Sequence, residues 1–191
     1  MQHSPMTSFN TIILAALGTS LLVACSQPCP PAPQPFTHPQ YSIPPEIDAN
    51  IALVQGYLEA CLKADAGTMR AATAPGYIEH EMFWPVDSAG IDSVIADYVR
   101  ADSARTGQQL LDISADGVRY ASGKWAGDWV NFFADYAATD KKTGKSFRIP
   151  FFFNAQVKNG KLVRSYLYFD RLSYFDQLGI APPAATQSET K

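Results

Sequence analysis

A chain of 191 residues that is 47% hydrophobic and 17% charged can bury a core, fits one globular domain with a tail or two, and is not disordered in composition. A net charge of −3 and a pI near 5.5 exclude the basic footprint of a nucleic-acid binder. No Lys or Arg precedes Lys63, so the N-terminus is not a basic arm either.

In chain order, the first feature is an apolar run, Ile12 to Ala24, of the length of a signal-peptide core and too short to span a bilayer comfortably. It leads into Leu22-Val23-Ala24-Cys25, which resembles the lipobox of bacterial lipoproteins, where the Cys becomes the lipidated first residue. An ordinary signal peptide or an uncleaved anchor is the plainer reading. The lipoprotein reading predicts a signal peptide over 1–24, lipid such as palmitate on Cys25, and a membrane-anchored protein of the bacterial cell envelope. Residues 26–46 carry eight prolines, so 25–47 reads as an extended spacer after the lipidated Cys. Of the other cysteines, Cys29 lies in that spacer and Cys61 on an apolar helix face. A disulfide between them is allowed outside the cytoplasm, but a buried free thiol is the commoner state of such a Cys61. No pair has metal-ligand spacing, and no metal or cofactor is implied.

The domain is predicted over 48–181, followed by a polar tail over 182–191. Ile47, Ile51, Val54, Leu58, Cys61 and Leu62 form one helical stripe, with Asp48 as the N-cap. A short helix over 68–73 stops at Pro75-Gly76, and 77–87 is a strand or extended loop. A third helix within 89–107 turns Ile91, Val94, Ile95, Tyr98 and Val99 inward and stops at Gly107. Strand character follows: 109–114, a turn at 115–117, a long aromatic strand over 129–140, a return over 146–158, and a last strand over 161–170. Thr143-Gly144 and Asn159-Gly160 are the hairpin tips. A closing helix over 171–179 aligns Leu172, Phe175 and Leu178. This order predicts an α+β fold, a curved antiparallel sheet with helices on its concave face enclosing a cone-shaped cavity.

These landmarks, above all "YIEHEMF", "TGKSFRIPFFF", "KNGKLVRSYLYFD" and "RLSYFDQLG", resemble the NTF2-like superfamily and its SnoaL-like, polyketide cyclase-related branch, over about Asp48 to Ile180. The resemblance implies an NTF2-like, cystatin-like cone and a homodimer paired through the outer sheet face. It is weak for activity, because this fold hosts isomerases, dehydratases, cyclases and non-catalytic binders.

In the last strand, period-two alternation sets Arg164, Tyr166, Tyr168 and Asp170 on one face and Val163, Ser165, Leu167 and Phe169 on the other. The resemblance makes Asp170 the general acid/base, with Tyr166 and Tyr168 as cavity wall and hydrogen-bond donors. The competing reading makes Asp170 the cap of the final helix or an ion-pair partner of Arg171. His80, in Y-x-x-H, matches a pocket His of the branch, or is a surface residue between Glu79 and Glu81. Asn154 and Gln156 share a strand face and stand where relatives carry polar substrate contacts. Tyr57, Trp84, Trp129 and Tyr136 are cavity walls if they face inward and core otherwise. The acid and Arg of the superfamily's epoxide hydrolases find no firm match, although Asp128 and Arg164 are present. Two functions follow. One is a lipid-anchored domain that binds a small apolar organic ligand and performs cofactor-free cyclisation, isomerisation or dehydration through Asp170. The other is a binding or envelope-interaction module of the same fold without turnover.

Overall fold

The computed structural model describes residues 38, 40–81 and 88–181. The signal segment, Cys25, Cys29, Trp84 and the polar tail lie outside the described residues. Among the described residues, four helices pack on one bent seven-stranded sheet. The elements are β1 (Tyr41–Ser42), α1 (Ile47–Leu62), α2 (Ala66–Ala72), β2 (Thr73–Glu81), β3 (Ser88–Gly90), α3 (Ile91–Ala104), β4 (Arg105–Tyr120), β5 (Gly127–Asp140), β6 (Ser146–Lys158), β7 (Lys161–Phe169) and α4 (Arg171–Leu178). Their order across the sheet is β1-β4-β5-β6-β7-β2-β3, antiparallel except for the β2–β7 pair. Among the described residues no helix is long and apolar enough to cross a membrane.

The local rules hold best at turns and caps. Asn159 and Gly160 both take positive φ, 53° and 68°, the conformation that a two-residue hairpin between right-twisted strands requires. Gly179, at φ 69°, ends α4 in the left-handed region. Asp65 caps α2, accepting from Thr68 N at 3.1 Å. At α1 the N-cap is Glu46 rather than Asp48, which sits in the first turn. The sheet also reaches into the Pro-rich segment, where Tyr41 and Ser42 pair with Tyr120 and Arg119.

The largest departure is β4. Gly107 and Ala115-Asp116-Gly117, read as a helix stop and a turn, lie inside one sixteen-residue strand. Its register with β5 shifts after Thr106 and after Leu111, and Asp112 takes φ 50° at the second shift. Such bulges bend a strand and increase its twist, and so help a sheet to close around a cavity. Gly117 serves packing instead of turning. A Cβ there would overlap the Ile47 side chain, so its absence lets α1 approach the sheet.

The main core joins α1, α2 and α3 to the inner sheet face through Val54, Tyr57, Met69, Val94, Phe132 and Phe153, all buried. A smaller cluster of Ala138, Phe147, Ile149 and Leu178 holds α4 down. Register fixes what faces inward. Val130, Ala155, Ser165 and Glu79 form one inner row across β5, β6, β7 and β2, and Phe132, Phe153 and Leu167 form the next.

Candidate functional site

A cavity of about 560 Å³ lies between the concave face of the sheet and the helices. Its walls are largely apolar. Leu110, Phe151, Leu167 and Phe169 come from the strands, and Leu58, Leu62 and Val94 from α1 and α3. This is the usual build of a small-molecule site, an apolar cleft with a few placed polar groups.

One group of polar lining residues is bonded together. Arg105, at the start of β4, donates from Nη1 to Tyr136 Oη at 3.2 Å and from Nη2 to Tyr174 Oη at 3.4 Å. Its guanidinium lies 5.5, 5.5 and 5.3 Å from the ring centres of Tyr136, Phe147 and Tyr174, within cation–π range. Tyr136 donates to Gln108 Oε1 at 2.6 Å, and Gln108 Nε2 donates to Leu62 O and Asp102 Oδ1, both at 2.8 Å. Burial pushes the Tyr136 phenol up, and the neighbouring Arg105 opposes that shift.

A second polar group lies in the core, linked to the cavity wall through Cys61. Glu79, only 1% exposed, accepts through Oε2 from Tyr77 at 3.0 Å, Ser165 at 3.2 Å and Tyr57 at 3.5 Å. Tyr77 Oη also lies 2.6 Å from Ser165 Oγ and 3.2 Å from Tyr57 Oη. Burial, reinforced by Glu79, pushes the phenols of Tyr57 and Tyr77 and the thiol of Cys61 well above their ordinary values. Cys61 lines the cavity as a buried free thiol, whereas Glu79 is not among the lining residues.

Most of the residues singled out from sequence stand elsewhere. From Arg164 to Phe169 the alternation along β7 is as expected, whereas before the register shift it is Leu162 and not Val163 that enters the core. Ser165, Leu167 and Phe169 face inward, so Tyr166 and Tyr168 face out. His80 pairs with Tyr166 in register and stacks on it at 4.6 Å, on the outer face. Trp129, itself buried, lines an outer depression of about 490 Å³ with Asn154, Tyr166, Tyr168, Tyr120, Trp125 and Phe152. Trp129 Nε1 donates to Trp125 O at 2.7 Å, and Asn154 Nδ2 to Asn131 Oδ1, also at 2.7 Å. Gln156, on that same side of β6, donates to Ala126 O at 2.8 Å. Aromatic and amide side chains mark both faces of this sheet, and the helices that cover only one of them decide which residues meet the cavity.

Asp170 is an exposed cap. It precedes α4 and accepts from Ser173 N at 3.0 Å, outside the cavity lining. Tyr57 is core, 1% exposed, and belongs to the Glu79 cluster instead of the wall. Tyr136 lines the cavity. Asp128 is gripped by Arg119 through two bonds of 2.5 and 2.7 Å, which leaves no Asp128–Arg164 pair in a site. Sequence reading did not single out Glu79, Tyr77, Arg105, Gln108 or Tyr174. Glu79 lies between Ile78 and His80, and Arg105 sits where a helix end was expected; each was legible only from register.

No protein-family model and no curated protein matches the sequence. Solved structures do match in shape. A candidate SnoaL-like polyketide cyclase from Jannaschia sp. CCS1 is 14% identical with a TM-score of 0.57, over 74% of this chain and 99% of that one. A candidate polyketide cyclase, IdmH, from Streptomyces antibioticus is 18% identical with a TM-score of 0.55, over 68% and 98%. An NTF2-like protein from Burkholderia thailandensis E264 is 24% identical with a TM-score of 0.51, over 69% and 96%. The bent sheet, the helices on its concave face and the cavity between them are thus those of the NTF2-like fold, in the form that SnoaL-like and ketosteroid isomerase-like structures share.

Proposed function

We propose that this domain binds a small, largely apolar organic molecule in the concave cavity and that neither Asp170 nor His80 acts on it. The observation that carries the reading is the cavity of about 560 Å³ with its mainly apolar wall. Proton chemistry needs a base within reach of the ligand. Among the described residues, the one carboxylate in the lining is Asp97, and it is ion-paired to Arg100. Glu79 is buried behind the wall, where its bonds to three hydroxyls serve the core. Binding without turnover is therefore favoured over the cyclase-like alternative.

Native mass spectrometry of the full-length chain tests this. A small molecule is expected to co-purify with the wild type and to be lost in Leu167→Trp, which fills the cavity from β7. Asp170→Ala is expected to keep the ligand while losing about 1 kcal/mol of stability with its cap. Loss of the ligand in a folded Asp170→Ala chain would overturn the reading.

The apolar run and Leu22-Val23-Ala24-Cys25 support a lipid anchor on Cys25 that holds the domain at a membrane of the bacterial envelope. Metabolic labelling with palmitate is expected in the wild type and absent in Cys25→Ser. Label that persists in the variant refutes the anchor.

A further inference from the structure

Resting on the ligand-binding reading, we infer that the cavity selects an organic acid, an apolar body ending in a carboxylate that Arg105 and Tyr174 hold. Three observations converge. The first is a count of donors. A guanidinium has five N–H groups, and two of those on Arg105 reach tyrosine hydroxyls. The other three, and the Tyr174 O–H, have no protein acceptor among the described residues. Tyr136 Oη already accepts from Arg105 Nη1, and Gln108 Oε1 already accepts from Tyr136. That part of the wall is donor-rich, and a ligand satisfies it by bringing acceptors.

The second observation is charge. No carboxylate lies in ion-pair range of Arg105 among the described residues, although Arg70, Arg100, Arg119 and Arg148 each have one. Arg105 is half-buried against three aromatic rings, and although burial works against its charged form, the Tyr136 and Tyr174 hydroxyls outweigh that and hold it above its ordinary value. A partly desolvated cation of this kind is stabilised by an anion far more than by a neutral oxygen, and a planar guanidinium matches a carboxylate two bonds at a time. The third is the sign of the whole lining. Its charged members are Arg100, Arg105 and Arg171 against Asp97 alone, in a chain whose net charge is −3. Cationic side chains thus outnumber the acid in the lining, although Asp140, opposite Arg105 in the β4–β5 register, also feels its charge, and an excess of positive charge favours entry of anions. The apolar wall of Phe151, Leu167, Phe169 and Leu110 then takes the hydrocarbon part of the acid.

Calorimetric titration of the full-length chain with matched probes tests the inference. The pairs are decanoate against decan-1-ol and 2-naphthylacetate against 2-(2-naphthyl)ethanol, so that one pair is linear and the other ring-shaped. At least one acid is expected to bind about tenfold or more tighter than its alcohol, as a charge-assisted bond in a partly buried site provides. Arg105→Met is expected to abolish that preference and keep the alcohol's affinity, and Arg105→Lys to restore part of it. Equal affinity for acid and alcohol in the wild type, or an acid preference that survives in Arg105→Met, overturns the inference and leaves the cavity reading standing. Failure of all four probes to bind removes the cavity reading itself, and this inference with it. Should Arg105→Met not fold, Arg105→Lys and Tyr174→Phe carry the test, each expected to weaken the acid severalfold more than the alcohol, with an unchanged ratio in both counting against it.

Discussion

Above pH 9 the domain is expected to lose stability progressively, with a clearly lower urea midpoint at pH 11 than at pH 8. The cause lies in the core. Cys61, Tyr57 and Tyr77 are each buried, and each is held protonated by burial first and by the nearby Glu79 second. In the unfolded chain they ionise at ordinary values, 9.0 for the thiol and 10.0 for the phenols. Above those values the unfolded state binds fewer protons than the folded one, so stability falls as pH rises. The contribution is present in full below about pH 9. It is lost first through Cys61 and then, above about pH 10, through both tyrosines. Each group contributes up to about 1.4 kcal/mol per pH unit above its ordinary value, so the three together contribute at most about 5.5 kcal/mol at pH 11. That figure is an upper bound, because the groups share one network, and it matches the low end of a domain's whole stability. Urea midpoints followed by tryptophan fluorescence from pH 7 to 11 check it. Tyr57→Phe is expected to flatten the fall above pH 10, and Cys61→Ala the fall between 9 and 10. A midpoint that stays constant up to pH 11 would show that these groups are not held protonated in the core.

The same core shows where sequence reasoning reached and where it stopped. The hairpin at Asn159-Gly160, the strand over 146–158 and the closing helix were legible because their signals are local: positive φ, alternation, a cap and a glycine stop. Gly107 and Gly117 carry the same local signal with another meaning. Each lies in β4, where pairing with β5 continues past it, so a residue that ends an element elsewhere only bends or thins one here. Which residues meet the cavity was not legible for a different reason. Period two sorts β7 into two sets but does not say which set is covered. The set rich in tyrosine looked like a cavity wall, and the set with Ser165 did not. In the folded sheet Ser165 stands beside Glu79 in an inner row beneath the helices, and the tyrosines lie on the opposite face. Asp170 follows the same logic. As the last residue before α4 it satisfies a backbone amide of that helix, a local need that its position in the chain already announced.

Tyr77→Phe is expected to cost about 1–3 kcal/mol, a large effect for the loss of one oxygen atom. The hydroxyl is a shared node, touching Ser165 Oγ at 2.6 Å, Glu79 Oε2 at 3.0 Å and Tyr57 Oη at 3.2 Å. Phenylalanine keeps the ring, so the loss is not a packing loss. What changes is the solvation of Glu79, which is 1% exposed and would lose the shortest of its three hydroxyl bonds at Oε2. A buried polar group that loses a donor bears a desolvation cost that no water relieves. The companion variant separates this account from a general loosening of the core. With Glu79→Met the carboxyl is gone, and Tyr77→Phe in that background removes a hydroxyl with no acid to serve. If the hydroxyl acts through Glu79, the second substitution costs clearly less there than in the wild type, with a coupling of about 0.5–3 kcal/mol across the double-mutant cycle. Glu79→Met alone is expected to be milder than Glu79→Ala, since an apolar side chain of similar volume removes the buried carboxyl group without leaving a void. Denaturant midpoints of the four chains decide the matter. Equal costs for Tyr77→Phe in both backgrounds would mean that the cluster is a set of independent hydroxyls instead of a shell built around one acid.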